Sequence, residues 1–176
     1  MANNIYSLID FFSNFTVLPI DPDDVKEQII EYGVKDEIEF VGVDLDEIVI
    51  IGAFHQYVKS DGVYADPIVC ADIYYDRAQE RKWRRVICCK ELLHLLDRSH
   101  SRTATQQDCE RLLDDLAIIE IPQSKFSPEA LQAWEDHLTL YYAVAILFPI
   151  GAREILYPAY ASGRLSLEQN SFQGFP

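Results

Sequence analysis

The strongest chemical signal in the sequence is a lysine, a glutamate and a histidine at helical spacing within the segment Arg84–Asp97. At about 100° per residue, Lys90, Glu91 and His94 share one side of a helix, within an arc of roughly 120°. Asp97 falls in the same arc. Leucines and cysteines fill most of the other directions, which is typical of a buried helix. The polar stripe is therefore predicted to face a cleft, a partner group or a metal ion.

Lys90 interrupts a zinc-binding pattern. A histidine in its place would complete His-Glu-x-x-His, in which two histidines one turn apart chelate Zn²⁺ and the glutamate polarises a metal-bound water. A protonated ammonium has three donors and no lone pair, and it repels a dication. Glu91 would then be a vestigial general base and His94 a vestigial metal ligand. The plain alternative is a core helix whose polar stripe makes hydrogen bonds.

The composition is acidic and has enough apolar residues to form a hydrophobic core. Its 176 residues are 49% hydrophobic, which favours one domain over residues 1–176 with a sizeable core. The formal net charge of −14 disfavours direct binding to nucleic acid or to an anionic membrane, because phosphates would be repelled. No apolar run reaches about 18 residues, so no membrane span is predicted.

The N-terminus and the cysteines favour a cytoplasmic protein. Residues 1–15 have no basic residue before their apolar part and no small-residue cleavage site, unlike a signal peptide. The four cysteines lack Cys-x-x-Cys spacing, and we expect reduced thiols.

The helices and strands that position the polar stripe are predicted from the spacing of apolar residues and from helix-capping residues. Asp21 is a good N-cap and Pro22 suits the first helical position of a helix that Gly33 ends. The other predicted helices are Asn4–Phe15, Asp76–Arg98, Thr103–Ile118, Pro128–Phe148 and Ile150–Ala161. The predicted strands are Ile38–Val43, Ile48–Phe54 and Ile68–Tyr75, with a turn at Asp61-Gly62 and with Ile48–Phe54 covered on both faces. The predicted class is α+β, with helices flanking a small, mostly antiparallel sheet.

The order of these segments resembles the ImmA/IrrE family of zinc metallopeptidases. The resemblance covers nearly the whole chain, and its centre is Cys89–Leu96, where the family has Ala-His-Glu-Leu-Gly-His-Leu-Leu. The other similar segments are Pro19–Asp21 with Gly33-Val34, Asp72–Asp76, the basic lead Arg81–Val86, Tyr142–Pro149 and Gly163–Glu168. The resemblance implies a zincin-like fold with a central, buried active-site helix.

The resemblance also implies a third zinc ligand, an acidic residue about a dozen positions before the Leu-Phe-Pro segment. Glu135 and Asp136 are in that neighbourhood. On a helical wheel Glu135 lies at the edge of an apolar face formed by Leu131, Trp134, Leu138, Tyr142 and Ala145, whereas Asp136 points away. Glu135 is therefore the predicted third position; alternatively its side chain reaches water. A second departure from the family is a longer stretch at residues 102–125, which looks like an insertion.

We expect the Lys90 ammonium to occupy the cation position and to pair with Glu91, Glu135 or both. Such a pair keeps the fold without a metal and supplies no activated water, so neither peptidase activity nor a cofactor is expected. The alternative is an active metallopeptidase whose zinc is held by non-standard ligands from among Cys88, Cys89, His100 and His137. A catalytic Schiff base on Lys90 has no other support in the sequence.

Three functions therefore stay open. Family members typically act on helix-turn-helix repressors of mobile elements or stress responses. The resemblance thus implies a pseudoenzyme that binds a protein partner such as a DNA-binding transcriptional regulator, in a bacterial or phage setting. The other two are the metallopeptidase with altered ligands and a plain interaction domain that shares only the fold.

Overall fold

The computed structural model describes residues 5–44, 52–60, 66–96 and 128–164, with side chains from residue 136 onward in the last range. In this part of the chain, five helices and a three-stranded sheet form an α+β fold, which confirms the predicted class. The elements are α1 (Ile5–Phe12), α2 (Pro22–Glu31), β1 (Glu37–Val43), β2 (Gly52–Lys59), β3 (Ile68–Asp76), α3 (Arg81–Leu93), α4 (Pro128–Leu147) and α5 (Ile150–Ala161). The predicted helix Thr103–Ile118, the turn at Asp61-Gly62, and Asp97 and His100 lie outside the described residues.

Helix α2 begins and ends where the sequence predicts. Asp21 is its N-cap, with extended backbone, and Pro22 is the first helical residue. The Asp21 N–H donates to the Asp24 carboxylate at 2.9 Å, so the backbone group just before the helix is satisfied. Gly33 follows the helix with a φ of 96°, a left-handed conformation that glycine adopts without steric cost.

The sheet is mixed, and the prediction of a mostly antiparallel sheet was wrong. Its strand order is β1-β3-β2, with β3 parallel to β1 and antiparallel to β2. The prediction assumed that strands adjacent in sequence pair with each other, but β1 and β2 both pair with β3. The register places Ile73 between Phe40 and Phe54. This apolar row packs against the core, which is centred on α3.

Strand β2 overlaps the predicted strand Ile48–Phe54 only at its start. Only residues 52–54 of the predicted strand Ile48–Phe54 are described, and these are half-buried. Four of the five remaining residues of β2 are exposed, so the described part of the strand is not covered on both faces.

Helix α3 is shorter than predicted. Asp76 ends β3 instead of starting a helix, and its carboxylate accepts the N–H of Ala78 at 3.1 Å in the turn that follows. The helix then runs from Arg81 to Leu93, and His94 is its C-cap. Its second half is buried, which confirms the burial predicted from its apolar pattern; the buried residues are Ile87, Cys88, Cys89, Glu91, Leu92 and Leu93.

No single helix in the described ranges is long and apolar enough to cross a membrane. Helices α4 and α5 satisfy that criterion of length and composition only when taken together, across a bend of 74°.

Gly52 allows β2 to approach α3 closely, and we expect Gly52→Ala to destabilise the protein by about 1–3 kcal/mol, the usual cost of overpacking. A Cβ at this position would lie 2.3 Å from Ile87 Cγ2 and 3.2 Å from the Tyr74 carbonyl oxygen. Urea unfolding measures the loss. The same substitution is also made in an Ile87→Ala variant, which lacks the clashing methyl group. In that variant, Gly52→Ala should lower the free energy of unfolding by less than half as much. Equal costs in the two backgrounds would show that the contact does not limit the packing.

Candidate functional site

The candidate site is a group of charged and polar side chains in mutual contact at the C-terminal end of α3. It is formed by Lys90, Glu91, His94 and Asp136 and is called the Lys90 cluster below. Lys90 Nζ lies 2.6 Å from Asp136 Oδ1 and 3.0 Å from Glu91 Oε1. His94 Nε2 lies 3.3 Å from the same Asp136 oxygen and 3.8 Å from Glu91 Oε2. One ammonium and one imidazole therefore meet two carboxylates. The cluster confirms that Lys90 pairs with Glu91.

Two helices and one strand position these side chains. Lys90 and Glu91 lie in the last helical turn of α3, and His94 follows as the C-cap. The N–H groups of His94, Leu95 and Leu96 donate to carbonyls three residues back, which tightens the chain after the helix. Phe54 of β2 places its ring centroid 6.1 Å from that of His94. The cluster thus lies between α3 and α4, with the start of β2 beside His94.

Asp136 of α4 contacts Lys90 and His94, and the prediction that it points away was wrong. The side chain of Glu135, the predicted third position, lies outside the described residues. In the part of α4 whose side chains the structure describes, the buried positions are Thr139, Ala143 and Ile146. Their mean direction is roughly 100° around the helix axis from the apolar face that the wheel predicted. The small Ala143 brings α4 close to α3, where its carbonyl oxygen lies 4.0 Å from Cys89 Sγ.

The charges of the cluster support one another. Burial alone would lower the pKa of Lys90, but the carboxylates of Glu91 and Asp136 outweigh it and hold that pKa above its ordinary value. Burial alone would raise the pKa of Asp136, but the hydrogen bond from His94 and the charge of Lys90 hold it at about 2. At neutral pH the ammonium and the Asp136 carboxylate are both charged.

The donor set of the cluster does not fit zinc. Zinc requires lone pairs, and Lys90 in its protonated form offers only N–H donors at the position where the zinc pattern has a histidine. Its positive charge already compensates Glu91, whose side chain is only 5% exposed. Among the side chains that the structure describes, no group of three or more His, Cys, Asp or Glu residues is arranged to hold a metal ion.

Of the other donors considered for a metal, the structure describes the side chains of Cys88, Cys89 and His137, and each has contacts with residues outside the Lys90 cluster. Burial raises the pKa of Cys88 to about 12 and that of Cys89 further, so both thiols are protonated at neutral pH. Cys88 borders a cavity beside α2, whereas Cys89 packs against Ala143. His137 sits edge-on against Tyr141, with ring centroids 5.1 Å apart.

The depressed pKa of Asp136 predicts an acid-dependent contribution to stability. The folded pKa of about 2 is below the ordinary value of 3.8, so the contribution is complete above about pH 4 and is lost as pH falls through 2. We expect Asp136→Asn to cost on the order of 1–2 kcal/mol at pH 7 through lost charge, and less at pH 2.5. Urea unfolding of both proteins at pH 7, 4 and 2.5 measures the difference. A difference that stays constant with pH would contradict the ion pair.

The chain has no match among models of known protein families, among curated proteins or among solved structures.

Proposed function

We propose that this chain is a non-catalytic relative of the ImmA/IrrE-type zinc metallopeptidases and acts by binding a protein partner. One observation carries the proposal: the Lys90 ammonium lies 2.6 Å from Asp136 and 3.0 Å from Glu91, where two carboxylates and His94 converge. In this proposal α3 is the central helix of a zincin-like domain. The lysine's own cation occupies the place of the metal.

The same contacts argue against peptidase chemistry in this cluster. Hydrolysis by a zinc peptidase depends on a metal-activated water and on a carboxylate free to accept its proton. Lys90 provides no coordination site, and its ammonium engages the Glu91 carboxylate. The cluster is therefore suited to holding α3 and α4 together. In this proposal the partner binds to the surface of the domain and not to the cluster.

We propose a basic, DNA-binding regulator of the helix-turn-helix type as the partner. The resemblance implies this class, and the net charge of −14 favours association with a positively charged surface. Exposed apolar side chains on α1, α4 and α5 could add apolar contact area for such a partner if they form one patch; the most exposed are Tyr6, Tyr141, Ile155 and Tyr157.

The test mixes the purified chain with purified helix-turn-helix regulators encoded by the same genome. Calorimetry measures binding, and intact-mass spectrometry follows the regulator during a long incubation. Binding to a regulator that stays intact, weakening as salt rises from about 50 to 500 mM, supports the proposal. A cleaved regulator would instead favour an active peptidase. No binding to any regulator would favour a domain that shares only the fold.

A further inference from the structure

A second group of charges lies at the opposite end of α3 and plays no part in the proposed function. Five of the chain's fifteen Lys and Arg residues fall within residues 77–85, although the chain as a whole carries a net charge of −14. Arg81, Arg84 and Arg85 line a cavity of about 200 Å³ between α3, the start of α2 and the sheet. The carboxylates Asp21 and Asp23 also line it, so three arginines face two carboxylates there. Phe40 and Tyr75 form part of its wall.

Among the residues that the structure describes, Arg84 has no anionic partner. Its guanidinium donates to the carbonyl oxygens of Arg77 and Gln79, both at 3.1 Å, and lies 5.0 Å from the centroid of the Tyr75 ring. Carbonyl oxygens accept its hydrogen bonds but do not neutralise its charge. No described carboxylate lies within 4.0 Å of Arg84 or Arg81. A half-buried guanidinium without a counter-charge is costly.

Arg85 is only weakly paired. A single Nη atom lies 3.3 Å from Asp21 Oδ2, and the Asp21 side chain is 48% exposed. The Nε atoms of both Arg84 and Arg85 are buried and have no hydrogen-bond partner among the described residues. Buried polar atoms are normally paired, so these two guanidinium groups keep unused hydrogen-bonding capacity.

We propose that this arginine cavity binds an oxyanion, either the carboxylate or the phosphate group of a small ligand. Guanidinium groups recognise both through paired N–H donors. The cavity is smaller than the roughly 300–1,000 Å³ of sites for drug-sized ligands, so it suits a small anionic group. The aromatic wall provides apolar contact for the atoms that carry that group. The site is independent of the Lys90 cluster, and either proposal can fail alone.

To test the proposal, the full chain is labelled with ¹⁵N and followed by NMR while sodium phosphate or sodium acetate is added. Sodium chloride at equal ionic strength is the control. We expect saturable shifts of the amide signals of residues 81–88 and of the arginine Nε–H signals. A response to phosphate alone, to acetate alone or to both supports the site and identifies the oxyanion. A response no larger than that to chloride would overturn the proposal.

Substitutions distinguish binding in the arginine cavity from non-specific attraction of anions to positive charge. Arg84→Met removes one charge-assisted donor group and is expected to weaken binding by about tenfold or more. Arg81→Met provides a second variant, since Arg81 is exposed and its loss leaves the core intact. The matched control is Lys82→Met, because Lys82 is a neighbouring cation that does not line the cavity. Equal weakening by Lys82→Met and by the two arginine variants would overturn the proposal.

Discussion

Replacing Lys90 by methionine is expected to destabilise the protein by about 3–5 kcal/mol, the usual cost of removing one partner from a buried ion pair. The Glu91 side chain is 5% exposed and that of Lys90 13%, so water cannot replace the ammonium without rearrangement. Asp136 would lose its contact at 2.6 Å as well. Urea unfolding at pH 7, followed by far-ultraviolet circular dichroism, measures the change.

The matched control for this prediction is Lys82→Met. Lys82 forms an equally short pair with Glu80, at 2.7 Å, but its side chain is 75% exposed. Exposed pairs contribute about 0–1 kcal/mol, so this variant should be nearly neutral. Adding Glu91→Gln and Asp136→Asn to Lys90→Met should restore part of the lost stability, because no uncompensated carboxylate remains. Similar small losses for Lys82→Met and Lys90→Met would show that the Lys90 cluster does not hold the fold.

Lys90→His is expected to convert the cluster into a zinc site with one ion per chain. The substitution removes the competing cation and supplies a lone-pair donor one turn from His94. Asp136, whose carboxylate lies 3.3 Å from His94 Nε2, is the third ligand provided by the described residues. Zinc at about 100 times its dissociation constant should stabilise this variant by roughly 2.7 kcal/mol. Thermal unfolding with and without zinc, together with calorimetric titration, measures the gain.

Lys90→Gln is the matched control, because it also removes the ammonium but adds no imidazole. It should gain no zinc-dependent stability, and neither should the double variant Lys90→His with His94→Ala. Equal stabilisation of all three variants by zinc would place the bound metal elsewhere on the chain. No stabilisation of Lys90→His would contradict the view that one residue separates this site from a metal centre.

Local signals made much of the fold predictable. The cap at Asp21, the proline at position 22 and the left-handed Gly33 define α2 by backbone chemistry alone. The pairing of the strands was not predictable in the same way. The pattern of apolar residues in a strand indicates which of its faces are buried, but it does not indicate which strand lies beside it. Both β1 and β2 pair with β3, the first in parallel and the second in antiparallel orientation, so the sheet is mixed.

The candidate site was predictable in part. Spacing alone placed Lys90, Glu91 and His94 together, because one helix and its C-cap carry all three. Asp136 was missed because the wheel weighted large apolar residues, whereas α4 approaches α3 at the small Ala143. A close helix contact selects small residues, and that signal could have identified the correct face. The arginine cavity joins α2, α3 and the sheet, so it required the tertiary structure.

The central claim is that the Lys90 ammonium takes the place of a metal ion, and the zinc content of the wild-type protein tests it most directly. The protein is purified in full length, incubated with excess zinc, dialysed and analysed by inductively coupled plasma mass spectrometry. We predict far less than one zinc per chain, because the ammonium fills the position between Glu91 and Asp136. One zinc per chain that survives dialysis would contradict the account and would favour a working metallopeptidase.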